Sequence, residues 1–408
     1  MGADRRGPRA PAGRPPQAPS AMLLSSGDVG IQNRARIFQA LADHGPLSRA
    51  DLARMADVPR ATIGTIVASL LTSGMLEERV ARRTVATVGQ PPRPLWFGPE
   101  LGLRGAVLIQ PGTMQVAVVD VQGQIVSEGE TAFPAQAPRE ELQRRLLDGA
   151  IGVLAPFADK LTGTGIAVPA ICDSDRAEVL ACTPLPGLAG TRLPLELEQH
   201  TGAPVVLEED VRALALGQRW FGRARGVDDF AALQLGEGIG AAIMTGGRLR
   251  HGELTISEVG HTCVDLDGDQ CPCGLTGCWE TIASLRWLRR EAARLGIPAG
   301  ESTAPRALTW RAADGDTAAA GLLALYADHI AVGIANLVHL LSLSLFILHG
   351  EVVGGGEPLR DQIQAAVQRR TLPQLSALPR VEFSQLDHRA GLLGAAAAVL
   401  TRQLGIST

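Results

Sequence analysis

Between His261 and Cys278 the chain reads His-x9-Cys-Pro-Cys-Gly-Leu-Thr-Gly-Cys, and Trp279-Glu280 follow directly. Three thiols and one imidazole within this short stretch nearly complete the inner shell of a tetrahedral ion. Soft sulfur combined with imidazole selects zinc over calcium or magnesium. Gly274 and Gly277 let the loop between Cys273 and Cys278 fold back on itself. A disulfide, or buried free thiols, are the competing uses of these sulfurs. Cys271 and Cys273 stand too close for an easy mutual disulfide. Six cysteines in 408 residues, with no secretory signal, fit a reducing cytosol. His261, Cys271, Cys273 and Cys278 would leave no open position for a metal-bound water. The expected ion is therefore structural Zn²⁺, and zinc-dependent hydrolysis is not expected.

A chain of 408 residues is expected to form two or three domains. Its 46% hydrophobic and 20% charged content is enough for a large core. The net charge of −4 gives no global attraction to nucleic acid, so any DNA contact has to come from a local basic patch. Lys160 is the only lysine and no GxxxxGK[ST] occurs, which excludes a lysine-dependent phosphate loop. No apolar run reads as a membrane span; the nearest, Leu337 to Leu348, is broken by His339 and serines. A cytoplasmic location without a membrane partner is expected. Residues 1–27, rich in Pro, Ala and Arg, read as a disordered arm rather than a signal peptide.

Residues 28–98 read as a winged helix-turn-helix. A helix over 29–44, with Ile31, Ile37, Ala40 and Leu41 available to one face, stops at Gly45-Pro46. Ser48-Arg49-Ala50-Asp51 resembles a capping box and opens a short second helix with Leu52, Ala53 and Met55 inward. After the turn at Asp57-Val58-Pro59, Ile63, Ile66, Val67, Leu70 and Leu71 form an apolar stripe of helical period. The opposite face carries Arg60, Thr62, Gly64, Thr65 and Ser69, small or polar groups that leave a groove approachable. Leu76 to Phe97 reads as a two-stranded wing, with Arg79, Arg82 and Arg83 on or near its tip and Arg93 in a proline-rich linker. Arg49, Arg60, Thr62, Thr65, Arg82, Arg83 and Arg93 are the candidate DNA contacts, the arginines suiting phosphates or a narrow minor groove. A winged helix used only for protein contacts is the competing reading.

From Leu103 onward, strands alternate with helices. Strands are expected near 106–109, 116–119, 165–168, 205–207, 230–235, 241–244 and 345–348. Helices are expected near 139–157, 211–221, 283–295 and 316–341. This pattern predicts an α/β body of two lobes around a cleft. Residues 99–217 would form the first lobe, completed by a C-terminal helix over 390–408. Residues 218–389 would form the second, with the zinc loop at 261–278.

Glu258-Val259-Gly260-His261, the cysteine cluster and Glu280 resemble the signature of the ROK family of repressors, open reading frames and kinases. The run Gly236-Glu237-Gly238-Ile239-Gly240-Ala241-Ala242-Ile243, with Gly246-Gly247 after it, is similar too. The resemblance spans roughly residues 28–402 and includes the winged helix of the family's repressor branch. It implies an actin-like, two-lobed sugar-kinase fold, a structural zinc, sugar ligands and homo-oligomers. It also implies sugar contacts at Glu209, Asp210, Glu258, His261 and Glu280. In family kinases the residue matching Asp210 is the base that deprotonates the sugar hydroxyl. A zinc-bound histidine can offer its second ring nitrogen to an oxygen. The residues themselves leave other roles open: Asp210 as the N-cap of a helix starting at Val211, and Glu258 and Glu280 as solvated loop carboxylates.

The chain departs from the family's kinases on the nucleotide side. Their opening Asp-x-Gly-Gly-Thr is here Ile109-Gln110-Pro111-Gly112-Thr113, where proline removes an amide donor. The second phosphate loop carries Glu237 in place of the usual threonine, which sets a carboxylate beside any polyphosphate. The sugar side also differs: Glu209 replaces an asparagine, and Pro184 stands where the family has another, so the effector need not be glucose or N-acetylglucosamine. Gly354-Gly355-Gly356, which falls where kinases hold adenosine, reads as a loop between strand and helix. The leading expectation is a sugar-responsive repressor of carbohydrate-metabolism genes without kinase activity. It would bind an inverted-repeat operator as a homodimer or homotetramer. The alternatives are an ATP-dependent sugar kinase carrying a DNA-binding domain, and a DNA-binding regulator without an effector.

Overall fold

The computed structural model describes residues 26–79, 93–250, 258–297, 305–374, 377–386 and 389–406. The N-terminal unit comprises α1 (Ser26–His44), α2 (Arg49–Ala56), α3 (Arg60–Thr72) and the strands β1 (Leu76–Glu78) and β2 (Leu95–Phe97). Helix α1 begins within the stretch expected to be a disordered arm; the rest of that arm lies outside the described residues. The capping box forms as read: Ser48 Oγ accepts from Asp51 N at 3.2 Å, and Asp51 Oδ2 accepts from Ser48 N at 3.1 Å. Ile63, Val67 and Leu70 of α3 pack on Ile37, Phe38, Leu41 and Leu52. Met55 is 47% exposed, against the expectation that it points inward. At roughly 100° per residue it lies about 60° from Leu52 but about 160° from Ala53, on the edge of the inward face. The wing closes with Leu76 opposite Phe97 and Glu78 opposite Leu95.

The body begins with β3 (Leu103–Gln110), β4 (Thr113–Val119), β5 (Ile125–Ala132), α4 (Arg139–Leu154) and β6 (Leu161–Val168). The hairpin β7 (Ile171–Asp173) and β8 (Glu178–Ala181), then α5 (Leu193–Thr201), β9 (Val205–Glu209) and α6 (Asp210–Phe221) complete its first half. The second half runs through β10 (Phe230–Leu235), β11 (Ile239–Thr245), β12 (Arg248–Leu249), α7 (Glu280–Ala283), α8 (Leu285–Arg294) and α9 (Pro305–Ala313). It ends with α10 (Thr317–Leu341), β13 (Leu345–His349), α11 (Gly356–Arg370), β14 (Arg380–Phe383) and α12 (Ala390–Gln403). The glycine run at 354–356 is thus the junction between a strand and a helix, as read.

The two five-stranded sheets share one wiring. Their orders are β5-β4-β3-β6-β9 and β12-β11-β10-β13-β14. In each, an antiparallel meander of three strands is extended by two parallel ones. Two copies of one α/β unit leave a crevice beyond the carboxyl ends of the parallel strands, where such sheets bind ligands. Helices α6 and α12 cross between the sheets through small residues. A Cβ on Gly394 would stand 1.9 Å from Ala213 O, so glycine sets how closely these two helices approach. Helix α10 is long and apolar enough to cross a membrane by length and composition, which the sequence reading did not anticipate. Its Leu322, Leu323, Tyr326, Ile330 and Ile334 are buried against Phe346, Leu348 and Ile363, the packing of a core helix.

Candidate effector cleft, metal cluster and nucleic-acid interface

The donor atoms of His261, Cys271, Cys273 and Cys278 lie within 4.8 Å of one another. Cys273 Sγ and Cys278 Sγ are 3.7 Å apart, and Cys271 Sγ is 3.6 Å from His261 Nδ1. A tetrahedral ion with bonds of about 2.3 Å to sulfur and about 2.0 Å to nitrogen requires edges of about 3.8 and 3.5 Å. The four side chains fit such an ion, and all six cysteines are free thiols. Burial pushes the Cys271 thiol up to about 12 and Cys278 upward, so metal uptake has to release protons. The backbone amide of Leu275 pulls exposed Cys273 the other way. The loop closes because Gly277, at φ +70°, lets Asp265 O approach to within 1.6 Å of where a Cβ would stand. Trp279 then anchors it: the indole is 1% exposed, donates to His329 O at 2.9 Å, and lies against Gly333 of α10.

Three of the expected sugar contacts are joined through this cluster. His261 Nε2 lies 3.5 Å from Glu258 Oε2 while its Nδ1 faces the sulfurs. Cys271 Sγ lies 3.3 Å from Glu280 Oε1, which also accepts from Arg286 at 3.0 Å. Glu280 is thus a buried, paired carboxylate rather than a solvated one. Glu209 and Asp210 sit where β9 passes into α6, near enough to Glu258 for its charge to act on Asp210. The N-cap of α6 is Glu209 and not Asp210, which is the first helical residue and accepts from Val211 N at 2.7 Å. Asp210 is raised to about 6, first by burial and further by the charges of Glu209 and Glu258. It is a carboxylate poised near neutrality, suited to accept a proton or a hydroxyl hydrogen bond.

Asp210, alone of the five expected sugar contacts, lines a cleft of about 930 Å³. Both turns that the family's kinases devote to phosphate reach this cleft, through Gln110 and through Gly236 and Glu237. Residues 110–113 form a tight hairpin whose Pro111 has no amide to offer. Glu237 Oε2 is held by Arg289 at 2.5 Å. Arg306 is the one arginine among the described residues that line the cleft, beside Asp210, Glu237 and Glu351. The sequence reading missed Arg306, Trp310, Ser384 and His349. Burial drives His349 down to about 3, so it is neutral, and its Nε2 has no hydrogen-bond partner among the described residues. These four come from α9, from the end of β13 and from just beyond β14, and no spacing in the sequence joins them.

On the N-terminal unit, Arg60, Thr62 and Thr65 are all exposed on α3: Thr62 and Thr65 lie about 60° apart, and Arg60, the first residue of the helix, lies about 140° or more from either. Arg49 and Arg93 both reach Glu78, at 2.6 and 3.3 Å, so they are paired rather than free in this arrangement. Arg82 and Arg83 lie outside the described residues. Arg79, another of the wing arginines, sits 5.4 Å over the Trp96 ring and pairs with Glu77 at 2.9 Å.

The sequence model of the ROK family matches residues 109–402. The chain belongs to the ROK family. Among characterised relatives, the DNA-binding transcriptional repressor Mlc of Escherichia coli (strain K12) is 27% identical over 378 residues, covering 89% of this chain and 92% of Mlc. A glucokinase of Thermotoga maritima is 30% identical over 308 residues, covering 71% of this chain and 95% of that enzyme. The crystal structure of a ROK family transcriptional regulator, a homolog of the E. coli Mlc protein, superposes with a TM-score of 0.76 at 24% identity. That match covers 93% of this chain and 98% of the other. The repressor matches extend through the N-terminal unit, whereas the glucokinase is matched over a shorter part of the chain. The ROK fold, an actin-like α/β body, here carries a helix-turn-helix at its N-terminus.

Proposed function

We propose that this ROK protein is a sugar-responsive DNA-binding transcriptional repressor that has lost phosphoryl transfer. The observation that carries the reading is a helix-turn-helix joined to a cleft that keeps the poised carboxylate Asp210 but has Pro111 and Glu237 at its two phosphate turns. A polyphosphate in that cleft would meet a missing amide donor and an added carboxylate. Loss of a single such donor typically costs about 2.7–4 kcal/mol of transition-state stabilisation. A sugar meets no such obstacle. Asp210, Glu209, Glu258 and His261 offer acceptors and a ring N–H to vicinal hydroxyls, with Glu280 steadied beside them by Arg286. The cluster of His261, Cys271, Cys273 and Cys278 would hold Zn²⁺, which supplies rigidity to the loop bearing His261 and Glu280.

Operator binding would use the exposed side of α3, with Arg60, Thr62 and Thr65 toward base edges and Arg49, Arg82, Arg83 and Arg93 toward phosphates. A homodimer or homotetramer in the cytoplasm would present two such units to an inverted repeat. Sugar shifts the equilibrium between two arrangements only by binding one of them more tightly.

The test pairs two assays on the full chain. A coupled assay with MgATP and a panel of hexoses should give no turnover, and a duplex selected from a random pool should be bound and its affinity altered by a sugar. Turnover in the range of about 1–100 s⁻¹ that kinases show would overturn the repressor reading in favour of a sugar kinase.

A further inference from the structure

Helix α6 touches the cleft at one end and the helix-turn-helix at the other. Its twelve residues, Asp210 to Phe221, span about 18 Å. Asp210 lines the cleft at its start. Near its far end Arg219, whose side chain is 4% exposed, holds both oxygens of Asp43, in the last turn of α1. The second of these contacts is 2.9 Å; Nη1 to Oδ1 is the other. Asp43 Oδ1 also accepts from Gly226 N at 3.1 Å and from Gln39 Nε2 at 3.0 Å. Arg225 Nε donates to Ala42 O at 2.9 Å, holding the carboxyl end of α1. The segment just after α6 therefore grips α1 through Arg225 and Gly226, and α6 itself grips it through Arg219.

The cleft reaches this grip by a second path. Ser384 lines the cleft, and its Oγ accepts from Gln218 Nε2 at 2.8 Å. Gln218 is fully buried, and its Oε1 accepts from Arg223 N at 3.0 Å, which sets the start of the 222–226 segment. Thus Gln218 answers to the cleft, while the adjacent Arg219 answers to α1. A two-pronged guanidinium–carboxylate pair removed from water tolerates little change of angle, because each lost contact strands a charge. Such a junction is either made or broken, the property a two-state element needs.

Resting on the regulator reading above, we propose that the Arg219–Asp43 pair, with Arg225 and Gly226, is the junction through which occupancy of the cleft sets the orientation of the helix-turn-helix. Arg219 and Asp43 are positioning residues in this scheme. Neither touches the effector, and neither lies on the exposed side of α3.

The experiment uses full-length protein and a fluorescent duplex that the parent selects from a random pool. Its Kd is measured alone and with millimolar glucose, N-acetylglucosamine or xylose. Sugar binding is followed separately by thermal shift, and zinc content is checked in each variant. The parent should show a sugar-dependent ratio of operator affinities within the range of about 5–150 typical of allosteric coupling. Asp43→Asn should bind the same duplex and take the same thermal shift from sugar, but its ratio should fall to about 1. Arg219→Lys, which keeps the charge and loses the fork, should retain a ratio between the two. Should Asp43→Asn fail to fold, Arg225→Met removes an exposed donor at the same junction. A lowered ratio in it supports the relay, and a ratio equal to the parent's overturns it. A responsive parent with an equally responsive Asp43→Asn overturns the relay alone. A parent whose operator affinity none of the sugars changes overturns the sugar-response reading, and the relay falls with it.

Discussion

Asp210→Asn should make the protein more stable while removing its response to sugar. In the folded chain the carboxyl is raised from 3.8 to about 6 by burial, against the pull of the Val211 amide and with help from the charges of Glu209 and Glu258. The native state thus holds this proton more tightly than the unfolded chain does. Stability is full below pH 3.8, falls as pH rises between 3.8 and about 6, and stays lower above that. At 1.36 kcal/mol per pH unit, a shift of about two units costs about 3 kcal/mol at neutral pH. Asparagine has nearly the same shape and never ionises, and its carboxamide oxygen can still accept from Val211 N. Urea unfolding of parent and variant in parallel isolates this one group, because all other titrations cancel in the difference. The variant's advantage should be about 1.5 kcal/mol at pH 5 and about 3 kcal/mol at pH 7.5. Equal stabilities at pH 7.5, or a gap independent of pH, would refute a poised carboxylate at this position.

Cys273→Ser should release the metal, detected by mass spectrometry of the intact protein, and lower the melting temperature; full metal retention would remove Cys273 from the ligand set. Arg60→Ala should weaken operator binding by about 1–3 kcal/mol in fluorescence anisotropy without altering metal content, and unchanged affinity would take it off the recognition surface. Gly394→Ala should destabilise the body despite a gain of about 1 kcal/mol in helix propensity. Its new methyl would stand 1.9 Å from Ala213 O, and overpacking of that kind costs about 1–3 kcal/mol. A variant as stable as the parent in urea unfolding would show that α6 and α12 can part at little cost.

Local chemistry was readable from the sequence where neighbours along the chain are neighbours in space. The Ser48–Asp51 capping box and the α3 stripe lie within a few turns of backbone and form as read, and the cysteine loop brings its four candidate ligands within 4.8 Å of one another. Met55 was misread because periodicity does not say how much of a short helix meets its neighbours; α10 was placed at 316–341 as found, but its length of apolar sequence went unnoticed. Long-range pairings left no trace in the spacing. Arg219 and Asp43 are separated by 176 positions, and Gln218 and Ser384 by 166. The pairing of Arg49 and Arg93 with Glu78 was likewise hidden, since it depends on how the wing closes beneath α2. His349 read as one more residue at the end of an apolar strand. Only the three-dimensional cleft makes its unpartnered nitrogen visible.

The charge arrangement of the cleft argues for a neutral ligand on energetic grounds. Keeping Asp210 ionised costs about 3 kcal/mol even after the Val211 amide at the start of α6 has offset part of the burial. A cost of this size at a buried helix start is repaid when hydroxyl donors arrive, because each hydrogen bond to a charged acceptor contributes about 1.5–3 kcal/mol. A polyphosphate would instead add negative charge beside Asp210 and Glu351, with Glu237 occupied by Arg289 and Arg306 as the one cation among the described lining residues. A neutral polyol bound at Asp210 would therefore relieve this cost, whereas a polyphosphate would deepen it. The same helix that begins at this strained carboxylate ends in the grip on α1, so relief at one end is well placed to be felt at the other.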